Sequence, residues 1–373
     1  MEIHEYINML FSDYTLRTIT LGTMVMGIVC GLLGSFAVLR KQSLLGDAIS
    51  HASLPGIALA FLITGSKEPL VLFIGAAVSG IIGAIWIMGI TNRTHLKSDT
   101  ALGIVLSVFF GFGMLLLTII QKQPNANQAG LDKFLFGQAA TIMEKDVWLM
   151  LIIGCISVVT LLVFWKEFKI LTFDPQYAKT LGFNIKFLDI LLTTLIVLAI
   201  VLGLQTVGVV LMSAMLLAPA AAARQWTDKL GIMVLLAAIF GAASGVVGTA
   251  ISASAIKIAT GPVIVLVAVT FVLISFVFSP GRGLLSKQIR YHRNRRTIRL
   301  NKTLSLMYDV VQGHDDLTHP HSIKILNNFQ GFRKKCFAQL ESEQLIIVND
   351  DNWVLTPKGF NKAKEVFNKI KSM

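Results

Sequence analysis

Leu230–Ser252 reads LGIMVLLAAIFGAASGVVGTAIS, 23 consecutive residues without a charged side chain. A bilayer core of about 30 Å is crossed by about 20 apolar residues of helix, so this stretch is long enough to span it. Its glycines, Gly241, Gly245 and Gly248, recur at helical spacing, which lets helix backbones approach closely in lipid, where burial from water cannot drive association. Eight further runs of this kind are bounded by charge or turn residues: Thr15–Leu39, Leu44–Thr64, Pro69–Ile90, Thr100–Ile120, Val147–Trp165, Phe187–Leu204, Val207–Gln225 and Pro262–Phe278. Gly27 with Gly31, and Gly80 with Gly83, repeat the small-residue spacing. The second and seventh runs contain Pro55 and Pro219, which admit a broken or re-entrant segment. The fold class expected is an all-α polytopic membrane protein of about nine helices.

Composition agrees. Of 373 residues 54% are hydrophobic and only 14% charged, against about 25% charged in a soluble domain, and the mean hydropathy is +0.70. These values exclude a disordered chain, a disulfide scaffold and an ordinary cytosolic enzyme. Cys30, Cys155 and Cys336 are far apart and form no CxxC pair, so no disulfide framework or structural zinc site is suggested. The N-terminal stretch carries Glu2, Glu5 and Asp13 and lacks the basic region and small-residue cleavage site of a secretory signal. The first apolar run is expected to be kept.

The net charge of +12 is uneven: from Lys287 onward there are 16 Lys or Arg against 8 Asp or Glu, and before it 17 against 13. Arg40 and Lys41, Arg93 and Lys97, Lys166, Lys169, Lys179 and Lys186, then Arg224 and Lys229 follow the odd-numbered runs. Cytoplasmic loops carry the basic excess, so the N-terminus is expected outside and the tail in the cytoplasm.

An ionisable side chain inside a span is costly and marks an ion route or a buried partner. Asp47 and His51, in GDAISHASLPGIALAF (Gly46–Phe61), are four apart and share a helix face. Carboxylate and imidazole suit manganese, zinc or ferrous iron. One of each cannot enclose such an ion, whereas two copies meeting on a two-fold axis would supply four donors. Asp47 capping its span and His51 bonding a neighbouring helix fit the spacing equally well. Asp99 and Asp189 stand at span starts and read as helix-end charges.

Phe173–Phe183, FDPQYAKTLGF, lies in the long loop after the fifth run. Asp174 is a good N-cap, Pro175 suits the first helical position and Gly182 a stop, so a short helix is expected over Pro175–Leu181. It would dock into a separate protein or rest on lipid. No GxxxxGK[ST] stretch occurs, so any ATP site belongs to another chain.

Three regions follow in order: a membrane domain over residues 1–284, a basic juxtamembrane linker over 285–299 and a small cytoplasmic domain over 300–373. In the linker Arg290, Arg293, Arg295, Arg296 and Arg299 can meet anionic headgroups. The last domain is expected to run helix (Leu300–Val311), helix (Ser322–Phe329), helix (Phe332–Leu345), a hairpin turning at Asn349–Asn352, and a helix from Pro357 to Ile370. His314, His319 and His321 cluster ahead of its second helix and offer an incomplete metal-ligand set, or a solvated loop around Pro320.

Three segments resemble permease subunits of the ATP-binding-cassette importers for manganese, zinc and iron: GDAISHASLPGIALAF, FDPQYAKTLGF and LMSAMLLAPAAAAR (Leu211–Arg224). Ala222 stands where many relatives carry a hydroxyl residue. The resemblance implies a bundle like that of the cobalamin importer, a metal path through Asp47 and His51, and an ATPase-coupling role for Phe173, Asp174, Pro175, Gln176, Tyr177, Ala178, Lys179, Leu181 and Gly182. It also implies a second permease copy or a homologue of it, two ATPase subunits and an extracellular metal-binding protein as partners, with the transported ion and no permanent cofactor. QLESEQLIIVNDDNWVLTPKGFNKAKEVF (Gln339–Phe367) resembles the wing region of winged-helix proteins, including metal-responsive repressors. Two other classes stay open at this point: a membrane-tethered regulator whose tail contacts nucleic acid, and a secondary transporter driven by an ion gradient.

Overall fold

The computed structural model describes residues 13–66, 68–122, 137, 139, 142–254, 258–312, 319–322, 334–349 and 352–371. The chain divides into two compact units, Met1–Gly283 and Leu284–Met373.

Among the described residues the first unit holds nine helices long and apolar enough to cross a membrane. They are α1 (Tyr14–Leu39), α2 (Leu45–Thr64), α3 (Pro69–Arg93), α4 (Ser98–Gln121), α5 (Glu144–Val163), α8 (Ile185–Val207), α9 (Val209–Trp226), α10 (Leu230–Ser254) and α11 (Thr260–Phe278). Two shorter helices, α6 (Trp165–Phe173) and α7 (Pro175–Thr180), stand between α5 and α8. α2 and α9 run unbroken through Pro55 and Pro219. Ser79 of α3 donates its hydroxyl to the Ala52 carbonyl at 2.6 Å, tying α3 to α2 within a turn of Pro55.

The helices are assembled by close backbone approach. α1 lies along α10, and a Cβ on Gly27 would fall on the Gly241 carbonyl, just as one on Gly241 would fall on that of Gly27. One helical turn away the hydroxyls of Thr23 and Thr249 meet at 3.1 Å. α2 crosses α3 in the same manner at Gly56 and Gly75. α1, α2 and α8 are the most enclosed helices, while α4 and α5 turn much of their surface outward. Asp13 starts α1 by accepting from the Thr15 amide at 2.8 Å, and the turn into α2 passes through Lys41 at φ 57°.

The second unit contains α12 (Leu284–Gln312), β1 (His321–Ser322), α13 (Lys334–Ser342), β2 (Ile346–Asn349), β3 (Asn352–Leu355) and α14 (Pro357–Lys371). The strands form an antiparallel sheet in the order β1-β3-β2, with Ile346 opposite Leu355 and His321 opposite Trp353. The basic stretch 285–299 is the first half of α12, continuous with the helix expected from Leu300. Leu304, Met307, Tyr308 and Val311 of α12 bury their side chains with Leu340, Ile346 and Trp353. Thr356 caps α14, its hydroxyl accepting from the Gly359 amide at 3.0 Å. The helix expected over Ser322–Phe329 and the turn residues Asp350 and Asp351 lie outside the described residues, apart from Ser322, which is in β1.

Candidate metal path and coupling segment

Asp47 and His51 occupy the first two turns of α2, where a carboxylate complements the positive helix end. Asp47 Oδ1 and His51 Nε2 are 3.5 Å apart, too long for a strong hydrogen bond, so neither group saturates the other. The Asp47 side chain remains 36% exposed and that of His51 16%. The edge of Phe110, from α4, meets the imidazole with ring centres 4.8 Å apart and planes at 78°. Neighbouring hydroxyls turn away: Ser50 donates to the Gly46 carbonyl at 2.6 Å and Ser53 to that of Ile49 at 2.9 Å. Asp47 and His51 are thus the two side chains of metal-ligating type on this face, and among the described residues no three His, Cys, Asp or Glu side chains gather in one place.

The predicted short helix is present as α7. Asp174 caps it, its Oδ1 accepting from the Tyr177 amide at 2.9 Å. Gly182 follows at φ +84°, in the left-handed region that a glycine enters without strain. Ala178 is fully buried, while Phe173, Tyr177 and Leu181 present exposed apolar surface. A helix secured on one side and apolar on the other is suited to docking.

No sequence pattern signals what surrounds this segment. Before it, Phe168 of α6 is fully buried and, with Trp165, packs edge-on against Phe36 of α1 at 6.3 and 6.0 Å. After it, Asp189 forms an ion pair with Arg40, so its carboxylate serves a tertiary contact and not merely a helix end. Phe110 was equally silent, because its distance from His51 in sequence carries no periodicity.

In the second unit His321 is buried in β1, its ring 5.1 Å from that of Trp353, and the His319 ring lies 5.5 Å from it. His314 lies outside the described residues.

Residues 12–279 match the ABC 3 transport family. The zinc transport system membrane protein TroC of Treponema pallidum is 51% identical over 284 residues, 76% of this chain and 95% of TroC. The manganese transport system membrane protein MntC of Bacillus subtilis is 43% identical over 344 residues, 92% of this chain and 79% of MntC. That share exceeds what residues 1–283 alone supply, so the likeness to MntC continues into the second unit. Among solved structures, a chain of PsaBC from Streptococcus pneumoniae, in complex with Fab, superposes with a TM-score of 0.68 at 36% identity, over 77% of this chain and 100% of that one.

Proposed function

The chain belongs to the ABC 3 transport family, and from that premise we propose that it is the membrane-spanning subunit of an ATP-driven importer for manganese, zinc or iron. The carboxylate–imidazole pair carries the reading. Asp47 and His51 are one turn apart on a membrane helix with no other ionisable side chain, incompletely saturated by one another and open on one side. Such groups in a span face a path or a partner.

Two copies meeting along this face of α2 supply two carboxylates and two imidazoles, a donor set that a borderline divalent ion accepts. An extracellular binding protein releases the ion to the outer face, and the ion sheds water as these four groups replace its hydration shell. Two ATPase subunits hydrolyse ATP, and the segment centred on α7 docks into them through Phe173, Tyr177 and Leu181. Their closure moves the spans so that the site opens first outward and then inward. The N-terminus lies outside and residues 284–373 in the cytoplasm, where a winged-helix-like domain makes regulatory or protein contacts. The first half of α12, rich in arginine, lies at the inner leaflet.

Uptake by Asp47→Ala and His51→Ala variants tests the site. Metal accumulation is expected to be abolished in both, with membrane insertion and ATPase docking intact. Normal accumulation in both overturns it. Competition among manganese, zinc and iron in cells lacking other importers identifies the cargo.

A further inference from the structure

The turn that joins α1 to α2 is gripped from two sides by the coupling segment. Phe36, fully buried in the last turn of α1, packs against both Trp165 and Phe168 of α6, the helix that enters the segment. Arg40, the residue that ends α1, donates to Asp189 in α8, the helix that leaves it. Both ion-pair partners are mostly enclosed, with side chains 15% and 22% exposed, so the pair is less screened than a surface contact. Between these two grips along the chain stands α7, seated through the fully buried Ala178 and closed at its end by the Phe183 amide bonding the Ala178 carbonyl at 3.2 Å.

The gripped turn is stiff and short. Arg40, Lys41 and Gln42 return their amides to the carbonyls of Phe36, Val38 and Ala37 at 2.9, 3.1 and 3.0 Å. Lys41 holds the left-handed conformation, which disfavours a side chain and persists where the surroundings over-determine it. Leu45 then opens α2, two residues before Asp47. The turn also contains complementary hydrogen-bonding groups: Arg40 Nη1 and Gln42 Oε1 are both buried without a partner among the described residues. A donor and an acceptor two residues apart, each unpaired in this arrangement, permit a second arrangement of the turn in which Arg40 pairs elsewhere than with Asp189.

We infer that Arg40 and Asp189 are positioning residues, a strut through which displacement of the coupling segment is passed to the start of α2 and so to Asp47 and His51. Neither residue touches the transported ion. The aromatic grip at Phe36 acts as the pivot and the ion pair as the connection that makes or breaks. This inference rests on the transport reading above.

The test uses the complete transporter, with its ATPases and binding protein, in lipid vesicles. It reads Mn(II) imported per ATP hydrolysed, or Zn(II) where wild-type vesicles do not take up Mn(II). Arg40→Gln and Asp189→Asn are expected to insert and to bind the ATPases, to keep hydrolysing ATP, and to import about tenfold fewer ions per ATP, within the usual range of coupling between sites. The exchanged pair, Arg40→Asp with Asp189→Arg, restores the ratio. An unchanged ratio in the single variants, or uptake and hydrolysis falling by one common factor, overturns the inference. Should a single variant fail to insert, the exchanged pair decides: a wild-type ratio sustains the strut, and an inserted, docked but uncoupled pair overturns it. Asp47→Ala is measured alongside. Undiminished uptake in that variant sinks the transport-site reading, whereas a silent Arg40→Gln beside an inactive Asp47→Ala sinks only the strut.

Discussion

The crossing of α1 with α10 and the core of the second unit solve the same problem with opposite materials. In the membrane unit two backbones touch through Gly27 and Gly241, with a pair of threonine hydroxyls beside them. In the second unit Trp353, Met307 and Leu304 fill the space between α12 and the sheet. Lipid offers no reward for hiding apolar surface, so the membrane helices gain by van der Waals contact at short range. Water rewards buried area, about 25 cal/mol per Å² of it, so the second unit uses large side chains.

Exchanging the materials breaks each region in its own way. Gly241→Leu puts a branched side chain into the Gly27 backbone, a clash no rotamer relieves, and is expected to cost more than about 4 kcal/mol. Loss of detergent-stable, inserted protein checks it, with the second unit still resisting protease. Trp353→Ala is the mirror experiment: a cavity costing about 3–5 kcal/mol, seen as protease sensitivity confined to residues 284–373 while the spans stay inserted. Its failure to separate the two units would show that they fold as one.

Smaller effects sharpen the contrast at the edges of each unit. Asp174→Ala removes the cap of α7, worth about 1 kcal/mol, and on the proposed coupling role is expected to weaken binding of the ATPase subunits in a pull-down without disturbing the spans. Glu343 has its carboxyl held below the usual range by the Gln339 amide and by the Lys362 ammonium at 3.2 Å. A carboxyl so lowered adds stability at neutral pH and loses it on acidification, through the usual carboxylate value and past the lowered one. The pair is solvent-exposed, so Glu343→Gln costs a few tenths of a kcal/mol, and the acid dependence of second-unit melting is expected to flatten correspondingly.

Much of the fold was legible because spans are written in consecutive residues. All nine runs became helices, displaced by a few residues at their ends, where charge and turn residues blur the boundary. α7 was legible for the same reason: cap, proline and glycine are neighbours. Pro55 and Pro219 misled in the direction of a break, since a helix held among tightly packed neighbours can run on through a proline, and both do. β1 went unseen because two residues carry no alternation and pair only through Trp353. At the site, Asp47 and His51 stood out in an apolar background, but Phe110, Arg40 and Asp189 did not. Their meaning is tertiary, and one chain's periodicity cannot say which helices will touch.

The serines of α2 bear on what the proposed path would refuse. Ser50 and Ser53 flank His51, yet both hydroxyls are engaged by carbonyls of their own helix. Magnesium and calcium, the common divalent competitors, seek about six or more oxygen ligands and hold their water firmly. A helix face that offers one carboxylate and one imidazole, while the Ser50 and Ser53 oxygens stay fully buried, leaves those ions short of oxygen. On this reading, selectivity against the abundant hard cations comes from oxygens withheld as much as from nitrogen supplied.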